Sequence, residues 1–308
     1  MNNTLTIRPP KHEDAEAVYQ LVIACDIEDF GAPDFDFEEL LDMWAEFDME
    51  NNVWVVENDQ NNIVGYAFLE EDSDEKLFSY GFVLPSARGT GVGGTLLNAI
   101  EARAQALVTI SGNQKRLQNL IPSMSETAQE LLKAWEYQPV RYFKRMSIEL
   151  EQAPAAPMVP AGMTITAFVP NQDDRSVYDT YVEAFADHWD YSAPAYEAWL
   201  ERTKSPSFTP QWWFVARNEN GETVGILFSR MSEDTLYINQ IGVRRNYRGL
   251  GLGLALLQQA LQASYAAGQP VISLGVDSAN LTGAYRLYEI IGMKVIHETT
   301  LCEKMIIQ

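Results

Sequence analysis

The chain has few residues of the kinds that form covalent cross-links or metal sites. Among its 308 residues the only cysteines are Cys25 and Cys302. Two thiols this far apart do not predict a disulfide framework, and they are too few for a cysteine-based metal site. The three histidines, His12, His188 and His297, show no paired spacing, so we expect no metal ion. A reducing cytoplasm is the expected compartment.

Long apolar runs are also missing. No stretch approaches the roughly 20 apolar residues that a membrane-spanning helix requires. The first ten residues lack the basic and apolar regions of a secretory signal. The sequence therefore predicts a protein that does not associate with a membrane.

Basic residues are scarce, with 22 Lys and Arg against 43 Asp and Glu, and the formal net charge is −21. Residues 12–75 contain 21 acidic side chains and no Lys or Arg. A field of this sign repels the phosphates of nucleic acids, so we expect no nucleic-acid partner. The same field would attract a cationic substrate, although a well-solvated surface also explains the pattern.

The chain divides into two similar halves. A proline-rich stretch without hydrophobic periodicity, residues 151–162, has the composition of an interdomain linker. It separates an N-terminal domain, residues 1–150, from a C-terminal domain, residues 163–308, and each has a typical domain length. Each half begins with a short strand, continues into two helices and enters an antiparallel meander of β-rich runs.

The strongest repeat lies in the middle of each half. A strand, a short polar link and the pattern Arg-Gly-x-Gly-x-Gly recur at the same spacing, at Arg88–Gly93 and Arg248–Gly253. An apolar helix follows each copy, at Thr95–Ala106 and Leu254–Ala267. A further strand, a helix and a closing β segment complete each half. Duplication of one α/β domain explains this order better than chance does.

A strand, a glycine-rich turn and a helix together suit phosphate binding. The turn exposes main-chain N–H groups at the N-terminus of the helix, and glycine permits the positive φ that such a turn needs. We therefore expect both turns to contact the phosphates of a ligand. The candidate residues are Arg88, Gly89, Gly91, Gly93, Arg248, Gly249, Leu250, Gly251, Leu252 and Gly253.

Other uses of glycine-rich turns fit less well. A nucleotide P-loop needs a lysine after its last glycine, and neither turn has one. A dinucleotide-binding fold needs GxGxxG after its first strand, whereas Leu254 takes the final glycine position and the turn follows about four strands. A glycine turn required only for packing is the alternative without a ligand.

Both turns resemble motif A of the GNAT-type N-acetyltransferase superfamily, Arg/Gln-x-x-Gly-x-Gly/Ala. The resemblance covers nearly the whole chain. It implies an α/β (α+β mixed sheet) fold in two tandem copies, each with a mostly antiparallel, splayed central sheet flanked by helices. It further implies that the turns hold the pyrophosphate of coenzyme A, with acetyl-CoA as cosubstrate and no metal. The strand before each turn should bulge and separate from its neighbour, so that pantetheine pairs with main chain at Ile241–Val243 or Phe82–Val83.

The second half also resembles motif B of this superfamily, a strand followed by a helix that carries Leu-Tyr-Glu-x-x-Gly-Met. The resemblance implies that Asn280 caps this helix and contacts the pantetheine arm. It implies that Tyr288 protonates the leaving thiolate, a role that suits a positioned acid. The main-chain N–H of Val243 would polarise the thioester carbonyl. Outside this motif, Tyr288 would be interpreted as a packing aromatic residue.

The first half departs from motif B. In the aligned helix Leu132 takes the place of Tyr288, and Met124 takes the place of Asn280. We therefore expect the first half to fold as the same domain without an acid, and the second half to be catalytic. This layout is similar to that of the mycothiol synthase family. The strand carboxylate of that family is not matched, and Tyr237 lies near its place.

The acceptor and the base are the least defined parts of the site. An aromatic and acidic group after an early helix suits a cation, although packing of its tryptophan explains the same residues. The candidate acceptor contacts are His188, Trp189, Asp190, Tyr237 and Asn239. The base could be reached through water at Glu233 or Asp234, or the amine could arrive neutral.

The predicted function is acetyl transfer from acetyl-CoA to a primary amine of a small molecule, cationic or neutral, by direct attack in the C-terminal domain. A non-catalytic acetyl-CoA-binding regulatory module would keep the glycine turns but would need no acceptor. A purely structural pseudo-dimer would have no affinity for coenzyme A. We expect a monomer whose tandem domains are related by a pseudo-twofold axis, or a homodimer.

Overall fold

The computed structural model describes residues 4–33, 35–204, 208–232, 234–279 and 283–307. The chain forms two compact units. The first unit comprises Met1–Phe143 and His297–Gln308, and the second unit comprises Lys144–Ile296. No helix in the described ranges is both long enough and apolar enough to cross a membrane.

Helices and strands alternate in the predicted order along each half. The elements are β1 (Thr6–Arg8), α1 (Ala15–Phe30), α2 (Phe37–Glu46), β2 (Val53–Glu57), β3 (Ile63–Ser73), β4 (Lys76–Val83), α3 (Val92–Ser111), β5 (Lys115–Pro122), α4 (Glu126–Ala134), β6 (Gln138–Glu149), β7 (Thr164–Ala167), α5 (Asp174–Phe185), α6 (Tyr196–Arg202), β8 (Phe214–Arg217), β9 (Thr223–Ser232), β10 (Thr235–Val243), α7 (Leu252–Ala266), β11 (Val271–Asp277), α8 (Ala284–Ile290) and β12 (Lys294–Ile306).

Local sequence explains where several helices begin and end. α1 ends at Gly31, whose φ of 85° is a left-handed conformation that glycine adopts without strain. The carboxylate of Asp36 accepts a hydrogen bond from the Glu39 N–H and so caps the start of α2. α3 places Leu96 and Ile100 at helical spacing on its buried face, which packs on the sheet of the first unit.

The sheet of the first unit has the strand order β1, β2, β3, β4, β5 and β12. β1 to β4 form an antiparallel meander, β4 and β5 are parallel, and the Thr299–Ile306 part of β12 is antiparallel to β5. α3 and α4 pack on one face and α1 and α2 on the other, each over its own hydrophobic core. This is the mixed sheet flanked by helices that the resemblance predicted.

The sheet of the second unit repeats this arrangement in the order β7, β8, β9, β10, β11 and β6. The predicted antiparallel meander is confirmed for β7 to β10, and β10 is parallel to β11. α7 and α8 pack on one face, whereas α5 and α6 pack on the opposite face. We call the face that carries α5 and α6 the acceptor face.

The last strand of each sequence half lies partly in the other compact unit. From Lys144 onwards β6 belongs to the second unit, where the Ser147 hydroxyl donates to the Ile272 carbonyl at 3.1 Å. From His297 onwards β12 belongs to the first unit. The predicted linker, residues 151–162, contains no helix or strand and lies in the second unit. The sequence repeat and the compact units therefore divide the chain at different residues.

Candidate active site

The glycine-rich turn of the second unit connects β10 to α7. Gly249 and Gly251 have φ of +78° and +87°, and Gly251 is the N-cap of α7. A β-carbon on either glycine would meet no described atom within 4 Å, so packing does not require glycine at these positions. The backbone requires it, because an L residue is strained in this conformation.

The first turn of α7 offers main-chain donors to a ligand. Its first helical hydrogen bond joins the Ala255 N–H to the Gly251 carbonyl, so the N–H groups of residues 252–254 have no helical acceptor. The side chain of Leu250 is 55% exposed, whereas Leu252 is buried in the core. The positive end of the helix dipole adds to the attraction for an anion. This turn can therefore bind a phosphate group.

The first unit builds the same turn between β4 and α3. Gly89 and Gly91 have φ of +76° and +95°, and Gly91 is the N-cap of α3. Gly93 is needed for a different reason, because a β-carbon there would lie 2.7 Å from Leu131 of α4. The equivalent Gly253 has more room, with its nearest neighbour at 3.6 Å.

The arginine before each turn holds it against neighbouring main chain and side chains. Arg248 donates from Nε to the Val243 carbonyl at 3.1 Å and from Nη2 to the Ala184 carbonyl, near the end of α5, at 2.9 Å. Arg88 donates two hydrogen bonds of 2.8 Å to the carboxylate of Asp29 in α1. These bonds use the guanidinium groups to position the turns, and their expected contact with phosphate stays a prediction.

β10 and β11 separate as predicted. They pair only over Thr235–Ile238 and Val271–Leu274, whereas β10 stays beside β9 up to Val243. The register of β10 against β9 shifts at Asn239, which is the predicted β-bulge. A gap between two parallel strands therefore opens beyond the bulge.

β4 and β5 of the first unit also separate after four residue pairs. The bulge predicted for β4 is wrong, because its pairing with β3 has no register shift between Leu77 and Val83. Val243 follows Leu236 by seven residues in β10, whereas the equivalent Val83 follows Leu77 by six residues in β4. The extra residue of the second unit is Asn239, so only β10 has to bulge.

The main chain of β10 directs donors into the gap. The Arg244 N–H donates to the Val224 carbonyl of β9 at 2.9 Å. Because N–H directions alternate along a strand, Val243 and Ile241 direct their N–H groups away from β9, towards the gap. Their side chains pack against the core under α7. These are the two donors that the resemblance assigned to pantetheine and to the thioester carbonyl.

Tyr288 lies on α8 with 5% of its surface exposed, in the same core as Ile241. Burial raises the pKa of this phenol, so it is held protonated and can act as a proton donor. The aligned Leu132 of α4 is equally buried, at 4%, in the core of the first unit. Asn280 lies outside the described residues, and the N-cap of α8 is Gly283.

The end of α5 packs directly on the gap segment of β10. A β-carbon on Gly242 would lie 2.8 Å from Ala184 and 2.9 Å from the ring of Phe185, so only glycine admits this contact. The ring of His188 lies against Phe185 with 4.5 Å between centroids. Burial lowers the pKa of His188, and the charge of Arg248 lowers it further. The imidazole is therefore neutral near pH 7.

Tyr237 reaches across the point where β10 and β11 separate. Its hydroxyl lies 3.2 Å from the position of a β-carbon on Gly275, the first residue of β11 beyond the paired segment. The guanidinium of Arg145 lies 4.0 Å from the centre of its ring, and that of Arg230 lies at 5.7 Å. Asn239 is exposed beside it at the bulge.

The remaining predicted acceptor residues follow α5. Trp189 is 40% exposed, and Asp190 has a φ of 55°. Sequence reasoning did not predict the close contacts at Gly242 and Gly275 or a role for Phe185, because the contacting side chains come from other elements. The one available signal was the glycine inside each strand pattern, which often marks a close approach of another segment.

The chain matches two known family profiles, one in each half. The Acetyltransferase (GNAT) family profile matches residues 175–293, and the Acetyltransferase (GNAT) domain profile matches residues 49–139. The mycothiol acetyltransferase of Streptomyces scabiei is 31% identical over 246 residues, which are 78% of this chain and 75% of that protein. The mycothiol acetyltransferase of Thermomonospora curvata is 30% identical over 233 residues, 75% of each chain.

Solved structures agree with these matches. A GCN5-related N-acetyltransferase from Sphaerobacter thermophilus superposes with a TM-score of 0.89 at 33% identity, over 99% of this chain and 96% of that one. A tandem GNAT protein from the clavulanic acid biosynthesis pathway has a TM-score of 0.73 at 15% identity over 98% of each chain, and shares the fold. The chain thus belongs to the GNAT family, with two GNAT domains in tandem, and is an acetyl-CoA-dependent N-acetyltransferase.

Proposed function

We propose that the second unit transfers acetyl from acetyl-CoA to a primary amine of a small molecule by direct attack. One observation carries the proposal. The buried phenol of Tyr288 packs in the same core as Ile241 and Val243, whose N–H groups face the gap between β10 and β11. The proposal is that this phenol and these N–H groups act together on one bound thioester.

The residues of the second unit fit coenzyme A. The open space beside Gly249 and Gly251, with the free N–H groups of α7, suits a diphosphate. The exposed main chain of β10 suits an arm that carries amide groups. When bound, acetyl-CoA supplies an activated acetyl thioester.

The chain's own groups would act on that thioester in two ways. The N–H group of Val243 would donate to its oxygen as negative charge develops there, while that of Ile241 would donate to the pantetheine arm. Loss of one such donor costs roughly 100- to 1,000-fold in rate in other enzymes. Tyr288 would hold a proton in the buried site and give it to the sulfur atom.

The first unit lacks the equivalent groups, which supports transfer in the second unit alone. Leu132 cannot donate a proton where Tyr288 can. Phe82 takes the place of Gly242, and its ring lies 6.1 Å from that of Tyr66 in an aromatic layer. That layer covers the strand on the face where the second unit has its acceptor residues.

The acceptor we propose is a small molecule with a primary amine. The relatives named mycothiol acetyltransferases, at about the same length as this chain, favour a small-molecule acceptor over a protein. A primary ammonium group is cationic, and the net charge of −21 favours its approach.

A panel of small amines, with released coenzyme A followed by a thiol-reactive dye, tests the proposal. Both cysteines are buried, so the protein itself contributes little background. Titration calorimetry with coenzyme A is run beside it. We expect at least one amine to raise thiol release above the rate of hydrolysis. Tight binding with no amine-dependent release would favour the non-catalytic binding module instead.

A further inference from the structure

The proposed transfer needs a group that removes a proton from the attacking amine. Apart from Tyr237, the acceptor face of β10 carries Gln240 and the glycine at position 242, and neither is a base. The following inference rests on the proposed function and concerns a residue after α5.

His188 is held by contacts on two sides, and one of them leads to the gap segment of β10. Its backbone N–H donates to the Phe185 carbonyl at 2.8 Å, and its ring lies against the Phe185 ring. Phe185 in turn rests on Gly242, between the two residues whose N–H groups face the gap. The Tyr191 N–H donates to the His188 carbonyl at 3.3 Å and fixes the turn from the other side.

Charged groups from several elements act on this imidazole. The charge of Asp277, at the end of β11, raises its pKa. Asp187 in the same turn also raises the pKa, but it is shared with Arg245 and Arg248. Arg248 lowers the pKa, as burial does, and the net direction is downward. The ring is therefore held in its neutral form, which can accept a proton.

We infer that His188 is the catalytic base that takes the proton of the attacking ammonium group. The freed nitrogen lone pair then forms the C–N bond, and the C–S bond breaks with its electron pair moving to sulfur. The nitrogen loses two protons in all. One leaves through His188 to solvent, and the other replaces the proton that Tyr288 gives to sulfur.

The first unit offers an internal contrast. Asp29 binds Arg88 as Asp187 binds Arg248, and the residue that follows Asp29 is Phe30. Phe30 stacks on His297 with 4.1 Å between ring centroids. A histidine thus follows the ion-paired aspartate in the second unit, which also has Tyr288, whereas a phenylalanine follows it in the first unit.

Nuclear magnetic resonance tests the location of His188 without any turnover. The chain has three histidines, so the ring signals of His188 are assigned from the spectrum of His188→Gln. We expect His188 to titrate below 6.5 and its signals to shift when coenzyme A is added, while those of the exposed His12 do not move. If the His188 signals do not shift at saturating coenzyme A, the inference is wrong.

Kinetics test its role. His188→Gln should lower kcat/KM about 100-fold or more, abolish the acid limb of the pH profile and leave the Kd for coenzyme A within about threefold. Added imidazole should restore part of the rate of His188→Ala, which leaves space for it, and a merely structural role would not allow this. His12→Gln is the control and should match the wild type.

Two other kinetic outcomes are decisive and distinguishable. If the wild type transfers acetyl and His188→Gln keeps its rate and its acid limb, the inference is wrong and the proposed function stands. If the wild type binds coenzyme A but acetylates no amine, the proposed function is wrong, and the assignment of His188 as its base is wrong with it.

Discussion

The hydroxyl of Tyr237 lies over Gly275, 3.2 Å from where a β-carbon on that glycine would stand. The contact spans the two strands at the last point where they are paired. It closes the narrow end of the gap on the acceptor face, and the ring is covered by the guanidinium of Arg145 at 4.0 Å. In the proposed reaction, we expect an amine that enters from this face to contact this phenol.

Tyr237→Phe should therefore weaken binding of the acceptor amine and leave binding of coenzyme A unchanged. We expect the KM for the amine to rise about three- to tenfold, because one hydrogen bond of about 1 kcal/mol is lost, while the Kd for coenzyme A stays unchanged. Steady-state kinetics with the best amine and calorimetry with coenzyme A measure the two effects. An unchanged KM would remove Tyr237 from the acceptor site.

Tyr288→Phe should lower kcat about 100-fold or more and leave the Kd for coenzyme A unchanged, because it removes only the proton donor. Tyr285→Phe, one turn earlier on α8, is the matched control and should keep wild-type activity. The high pKa of the buried phenol predicts that the rate does not fall through its ionisation below pH 10. A fully active Tyr288→Phe enzyme would show that another group protonates the sulfur.

Gly251→Ala and Gly91→Ala place the same strain in the two units. Each forces alanine to a φ near +90°, and we expect each to lower the free energy of unfolding by about 1–2 kcal/mol. Only Gly251→Ala should also reduce acetyl transfer, because it displaces the donors at the start of α7. Urea unfolding and thiol release measure both properties. Equal losses of activity in the two variants would contradict transfer in the second unit alone.

Arg248→Lys keeps the charge but cannot reproduce the bonds to the Val243 and Ala184 carbonyls together. We expect affinity for coenzyme A in the second unit to fall about tenfold, equivalent to about 1.4 kcal/mol. The exposed ion pair with Asp187 should contribute little to this loss. Calorimetry at two salt concentrations separates the contribution of the main-chain hydrogen bonds from that of the ion pair. A loss confined to low salt would point to charge and not to positioning.

The stability of the first unit should depend on pH through Asp14. Hydrogen bonds from Arg8, and a further one from the Lys11 N–H, lower the pKa of Asp14 below its ordinary value of 3.8. The carboxylate therefore stabilises the fold above that value, and this contribution disappears as pH falls through the lowered pKa.

Asp14→Asn should accordingly cost about 1–2 kcal/mol at pH 7, and the difference from the wild type should shrink below pH 4. Urea unfolding at pH 7 and at pH 3 measures the change. A difference that stays constant across this range would show that the ionised carboxylate is not the stabilising form.

Much of the fold could be predicted because local patterns determine it. The apolar helices after the two glycine turns were predicted to begin at Thr95 and Leu254, and they begin at Val92 and Leu252. The earlier start reflects the N-cap glycines, which let the helix begin inside the motif. The meander followed from the hairpin pattern, and the separation of β10 from β11 and a bulge in β10 followed from the resemblance; all three are confirmed.

The remaining features depend on contacts that no local pattern encodes. Residue spacing around the glycine turns is identical in the two halves, which concealed the extra residue Asn239 further upstream. The contact between Gly242 and Phe185 joins two elements more than fifty residues apart. β6 and β12 both have the pattern of a closing strand, and alternation alone does not say which sheet either completes.

The exchange of strands also has a consequence for synthesis. More than 170 residues separate Pro122 from Thr299, the ends of two segments that pair along β5 and β12. At about 5–20 residues per second, a ribosome leaves the β5 edge without its neighbour for roughly 10–35 s. An open edge can recruit foreign chains, and the charged Lys115 and Arg116 on this one would oppose that. The first unit, most of which is synthesised first, is therefore the last to complete its sheet.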